Sequence, residues 1–338
     1  MKKYFLVLAI FLALPTLSPS QDEAPLKLVQ SIKLPGLKEG DFDHFAADRS
    51  GNRLFLTAEK NAAVEVLDLQ TNKVIRTITG LEEPHSMLYR ADLNKLFVVD
   101  GGAAEVKMYD GKSYKYLGAI KLEDDCDSST YDPTTKYLYV VNGGKGAHQI
   151  DSLISIIDTT SAKKIADIKI DTDSVEAMAL ESAGPRLFAN LTGLNSVGVF
   201  DRGKRTQLAK WSIADEAQKN GPLAFDEANH RLFVVTGKPG KLIILDSDSG
   251  RIVGSFPCVS LADEVAYDPG KRRIYIAGDE FIDVFQQQDA DHYTLLGKIP
   301  GSFRAKTAIL LPDMNRYYLA VPRRGTHEAE VRVYSVSQ

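Results

Sequence analysis

Seven apolar, aromatic-rich runs punctuate this chain at near-even intervals, and that repetition constrains its fold more than any other feature. They read RLFLTAE, KLFVVDGG, YLYVVNGG, RLFANLT, RLFVVTG, RIYIAGD and YYLAVPR, and they begin at Arg53, Lys95, Tyr137, Arg186, Arg231, Arg273 and Tyr317. Most steps are 42 to 45 residues and one is longer. Self-similarity at this period points to a propeller, in which each repeat is one blade that cannot bury its faces alone. Each repeat carries four β segments, as in SMLYR, KLFVVD, EVKMYD and YLGAIKL of the second. Short turns rich in Gly, Asn, Asp and Pro separate them, as hairpins require. No long segment shows the 3.6-residue period of an amphipathic helix.

The seventh repeat stops after its third segment, at VRVYSVSQ. LKLVQSIKLPG, from Leu26 to Gly36, reads like the missing fourth segment. Pairing it with the C-terminal strands would close the ring and remove open edges. The expected fold is therefore all-β: a seven-bladed β-propeller of four-stranded antiparallel blades, closed by the N-terminal strand joining the last blade. With 338 residues, 44% of them hydrophobic, the chain is long for one domain, but a closed ring can hold it.

Residues 1–20 are read as a signal peptide. Lys2 and Lys3 precede the apolar run YFLVLAIFLALP, which is too short to span a bilayer, and SPS places small residues before a cut after Ser20. Residues 21–338 then form one propeller domain, exported to the periplasm or the extracellular space, with no stable membrane insertion. Without the two leader lysines, 39 basic residues face 45 acidic ones, a balance of −6. That excludes a nucleic-acid partner held by bulk charge. The two cysteines, Cys126 and Cys258, fall in distant blades and are not expected to pair.

YLYVVN and its copies resemble the YVTN-type repeat of exported bacterial seven-bladed propellers, over Leu26 to Gln338. The resemblance implies the fold. It also implies a range of activities, since related propellers serve as surface-layer or binding scaffolds, lactonases and lyases.

The repeats separate structural from functional polar residues. Asp48, Asp132, Asp226 and Asp268 follow the first strand, and Asp68, Asp110, Asp158, Asp201 and Asp246 end the third. A recurring Asp at a turn accepts hydrogen bonds from nearby backbone N–H groups, so these nine are read as structural. Turn chemistry does not account for another aligned set: Asp43, His85, Asp127, Glu176, Gly221, Asp263 and Lys306. These positions start the innermost strand of each blade and would ring the central channel. Asp43, His85, Asp127, Glu176 and Asp263 are the expected metal ligands. A divalent cation (Ca²⁺, Mg²⁺, Mn²⁺ or Zn²⁺) would offset carboxylate repulsion there, and a hydrated polar channel is the alternative. Strand alternation turns His44 away from Asp43, towards a neighbouring blade.

Loops on the same face supply a rim: Glu264, His148, Lys238, Arg304, Arg323 and Arg324. Three functions are compatible with the ring and rim. The first is binding of a small polar ligand or a metal. The second is a metal-assisted lactonase-like hydrolase or lyase, with His85 or His44 as base and Lys306 or Arg304 at the oxyanion. The third is a protein-binding or surface-layer scaffold. A monomer is expected, with a protein partner as an option.

Overall fold

The run that gives each repeat its signature is wet on neither face. Leu54, Phe55 and Leu56 are fully buried, as are Val64 and Val66 on the strand beside them. A strand with two apolar faces must be covered twice, and here the two neighbouring blades cover it. The computed structural model describes residues 24–338. The expected leader, residues 1–20, lies outside the described residues.

The chain forms seven four-stranded antiparallel sheets arranged as the blades of a ring. The innermost strands are Phe42–Asp48, Pro84–Arg90, Ser129–Asp132, Met178–Leu180, Gln218–Asp226, Glu264–Asp268 and Ala308–Leu311. Among the described residues the only helical pieces are three-residue 3₁₀ turns, and no helix is long and apolar enough to cross a membrane. The core is cut into seven slices, each lying between two blades. In one of them Phe55, Val64 and Val66 of blade 1 meet Leu96, Val98 and Tyr109 of blade 2.

The seventh blade is completed as expected. Strand Leu26–Lys33 pairs antiparallel with Glu330–Val336, with Leu26 opposite Val336 and Lys33 opposite Glu330. The Lys33–Glu330 ion pair at 2.7 Å and the Leu34 N–H donating to Ala329 O at 2.8 Å lock this register. The turn aspartates also behave as expected. Asp48 accepts from Gly51 N–H at 2.9 Å, and Asp246 accepts from Ser249 N–H at 2.9 Å. Cys126 and Cys258 are both free.

On the face away from the ring, arginines that open the second strands reach into the next blade. Arg53 donates to the Tyr89 hydroxyl at 2.9 Å, Arg186 to Asp248 at 2.8 Å, and Arg231 to Asp291 at 2.7 Å.

Candidate functional site

In five of the seven blades the ring position enters the channel through the same local irregularity. In blade 1 the register jumps between Phe42 and Phe45, so Asp43 and His44 together face the single residue Thr57. In blade 2 His85 and Ser86 share the place opposite Val99, and in blade 5 Gly221 and Pro222 share that opposite Val235. Backbone bonds show the same offset in blades 3 and 4. The Asp127 N–H donates to Val141 O while the Val141 N–H donates to Ser128 O; Glu176, Asn190 and Ala177 repeat the pattern. These are β-bulges, which break the alternation of side chains along a strand.

The bulge overturns the expectation for His44. It does not turn towards a neighbouring blade but lines the same cavity as Asp43, Asp127, Glu176 and Asp263. Its Nδ1 lies 3.1 Å from Asp43 Oδ1, and its Nε2 lies 3.8 Å from Glu264 Oε1. Glu264 is thus a channel residue beside the ring rather than part of an outer rim.

Three ring side chains converge. His85 Nδ1 is 2.6 Å from Asp43 Oδ2 and 3.6 Å from Asp127 Oδ1. One donor atom from each of Asp43, His85 and Asp127 falls within 4.8 Å of the others. Lys306 Nζ sits 2.9 Å from Asp263 Oδ2. Backbone anchors hold the ring. Ser86 Oγ donates to Asp127 O at 2.5 Å, Thr307 Oγ1 to Phe42 O at 2.8 Å, and Asn190 Nδ2 to Gly221 O at 2.7 Å. Gly101 fixes the His85 ring. A Cβ there would lie 2.7 Å from His85 Cδ2 and 2.8 Å from Nε2, so only glycine lets the loop back onto that edge and turn Nδ1 towards the carboxylates.

The electrostatics follow from walling five carboxylates, two imidazoles and one ammonium into a narrow channel. Burial and the neighbouring acids push Glu176 up to about 8, and burial, opposed by His44, pushes Glu264 up to about 8. Burial and the Asp43 charge raise Asp127 to about 6, and burial also raises Asp263 against the pull of Lys306. Asp43 goes the other way. Burial would raise it, but the two imidazoles hold it well below the usual carboxylate range. Burial opposes charge on His85, yet Asp43 and Asp127 lift it to about 9; His44 is lifted well above its ordinary value by Asp43 and Glu264.

The cavity bounded by the ring measures about 60 Å³. A water occupies roughly 30 Å³ and an ordinary ligand pocket at least about 300 Å³, so this space suits an ion with a little water. A wider cavity adjoins it and a second lies beyond that one. One of about 180 Å³ runs past Asp263, Lys306 and Arg304, and one of about 340 Å³ is lined by Arg304, Phe303, Arg323 and Arg324. On the far side of the ring, Asp127 and Glu176 open onto about 490 Å³ beside Asp125, Asp173 and Lys145.

The other rim residues divide. Arg304 is bound to Asp41, Nε to Oδ1 at 2.9 Å. Lys238 and His148 are exposed and line none of these cavities. Gly101, Asp41 and Phe303 were not singled out by sequence reasoning. The GG of DGGA was the one signal that pointed towards Gly101.

No family model matches the chain. It is 24% identical over 205 residues to the uncharacterized protein YncE of Salmonella typhi, covering 59% of this chain and 55% of that protein. It is 28% identical over 138 residues to the seven-bladed beta-propeller protein Rv1057 of Mycobacterium tuberculosis, covering 40% of this chain and 34% of that one. The chain thus spans about half the length, or less, of these relatives. Among solved structures, hydrazine synthase of Kuenenia stuttgartiensis superposes with a TM-score of 0.69 at 17% identity, over 85% of this chain and 95% of that one. A chain of the mitotic checkpoint complex superposes with a TM-score of 0.75 at 15% identity, over 99% of both. These similarities support a β-propeller and, at such identities, speak to the fold alone.

Proposed function

We propose that the channel ring is a divalent-cation site and that the protein is an exported binding propeller of the YVTN type. Its cation would anchor a small polar ligand at the channel mouth. The observation that carries this reading is the convergence of one donor atom each from Asp43, His85 and Asp127 within 4.8 Å. Glu176 and Asp263 border the same cavity and would act through water or as further ligands. Two carboxylates and one imidazole suit Mn²⁺ or Zn²⁺ better than an all-oxygen set would, while Ca²⁺ and Mg²⁺ remain within reach of the acids. Ligation needs a neutral His85 and ionised acids, so the ion would bind by displacing protons from the ring. Export rests on the basic start and apolar run of residues 1–20.

A lactonase-like hydrolase or lyase would use the same ring. That reading needs more than an ion: it also needs an imidazole left free as general base, whereas His85 is a ligand in the cation site and Asp43 holds His44 protonated. Binding is therefore the favoured reading.

The test is metal content and thermal shift on the mature protein. Near-stoichiometric metal, or a rise in Tm with Mn²⁺, Zn²⁺ or Ca²⁺ that Asp127→Asn and His85→Gln abolish, supports the site. Metal-free protein whose Tm ignores every divalent ion sinks it. Turnover of a lactone and ester panel that depends on added metal and on His85 would restore the enzymatic reading.

A further inference from the structure

The cavity of about 340 Å³ among the loops that lead into and out of blade 7 has a character unlike the ring. Its charged lining is Arg304, Arg323 and Arg324 against Glu39 and Asp41, an excess of one positive charge in a chain whose net charge is −4. Two of the three guanidiniums have no acid to answer them. Arg304 is spent on Asp41, and Glu39 accepts the Gly325 N–H at 2.6 Å. Arg323 donates only to the backbone O of Leu37, at 3.2 Å. The Arg324 guanidinium carbon sits over the Phe303 ring, 3.6 Å from its centroid. No carboxylate lies within 4.0 Å of Arg323 or Arg324 among the described residues. Arg323 is half-buried and Arg324 is exposed.

Stacking on an aromatic face holds a guanidinium in one plane and leaves its N–H edge free to donate. A planar fork beside a second, unneutralised guanidinium matches the two oxygens of a carboxylate or phosphate. The volume lies in the range of small-ligand sites, and the Phe303 ring, 41% exposed, offers an apolar wall. We propose that this cavity is an oxyanion site for a small organic acid, a carboxylate or phosphate monoester on a short apolar body, gripped by Arg323 and Arg324. It goes beyond the cation reading of the ring and does not depend on it. Arg304 lines both this cavity and the one that reaches Lys306 and Asp263, so a bound acid would lie one cavity away from the ring.

The experiment is calorimetric titration of EDTA-treated mature protein with benzoate, phenyl phosphate and inorganic phosphate, with benzyl alcohol as the neutral probe. The expected result is saturable binding of benzoate or phenyl phosphate, weakening as salt rises, with none for benzyl alcohol. Arg324→Gln and Arg323→Gln should each weaken it about tenfold or more, the loss of charged hydrogen bonds, whereas Arg76→Gln on an exposed outer strand should not. The Arg324 side chain makes no hydrogen bond or ion pair among the described residues, only the stack on Phe303, so its variant decides the matter if Arg323→Gln lowers Tm by freeing Leu37. Three results overturn the proposal: no saturation with any probe, equal binding by parent and Arg324→Gln, or binding that appears only after a divalent cation is added. The last would place the anion on the ring instead.

Discussion

The two carboxylate oxygens of Asp43 serve two imidazoles, at 2.6 Å to His85 and 3.1 Å to His44. The rest of the ring is left with carboxyls that prefer their protons. Glu176 and Glu264 move from 4.5 to about 8, so between those values the folded protein holds more protons than the unfolded chain. His85 moves from 6.5 to about 9, with the same sign in that higher window. Stability should therefore fall as pH rises from about 5 to about 9 in EDTA-treated protein, by linkage. Glu176→Gln should flatten the slope and raise Tm at the alkaline end. A Tm–pH curve identical for parent and variant would refute this account of the ring. If a divalent ion binds, its stabilising shift should grow with pH, because fewer protons compete for the donors. At Gly101 the steric argument is sharper. Gly101→Ala should displace His85 and lower cation affinity about tenfold or more while leaving the circular dichroism of the fold unchanged.

At the scale of the element, the innermost strand and the second strand carry different information. The seven second-strand runs were legible because burial between blades demands apolar residues at a fixed period. The ring was legible because its residue types have no role in a turn. The register of the last blade holds as well: Ala308 pairs with Leu319, and the Ala320 N–H donates to Thr307 O, which puts Lys306 level with Asp43. The bulge was not legible. No residue type is common to Asp43-His44, His85-Ser86, Asp127-Ser128, Glu176-Ala177 and Gly221-Pro222, so the residue types alone do not mark the extra residue. That is why His44 was misplaced. The interblade arginines were visible only as strand-opening residues, since their partners lie in the next repeat. Arg231 donates to Asp246 at 2.9 Å, to Asp291 at 2.7 Å and to Ala290 O at 3.1 Å from a buried position. Arg231→Ala should cost about 2–3 kcal/mol, read from the midpoint of urea unfolding. A loss within error would show that the two blades are held by apolar packing alone.

Seen as a whole, the molecule keeps its seven outer edges from pairing with other chains. Every outermost strand slips register once, leaving Val29, Ile75, Leu117, Ile165, Leu208, Val253 and Leu296 without a partner. A bulged edge is a poor template for another strand, so the exposed aliphatic side chains there need not mark an interface. Blade 7 is the exception in its origin, since its outer strand comes from the other end of the chain. Removing residues 24–33 should bare the strand Glu330–Val336, lower Tm and cause aggregation visible by light scattering. An added peptide of residues 24–36 should reverse it by strand addition. A truncated protein that stays monomeric with an unchanged Tm would show the closure to be dispensable.

That clasp also sets how the ring answers to force. Leu26 and Val336 sit opposite each other at one end of an antiparallel pair. Tension drawing them apart runs along the hydrogen bonds rather than across them, because ladder bonds lie perpendicular to the strands. It would load the pairs one after another, from Leu26–Val336 towards Lys33–Glu330, like a zip. A propeller closed in this way should open under a smaller pull on Leu26 and Val336 than one whose closing strands had to shear past each other.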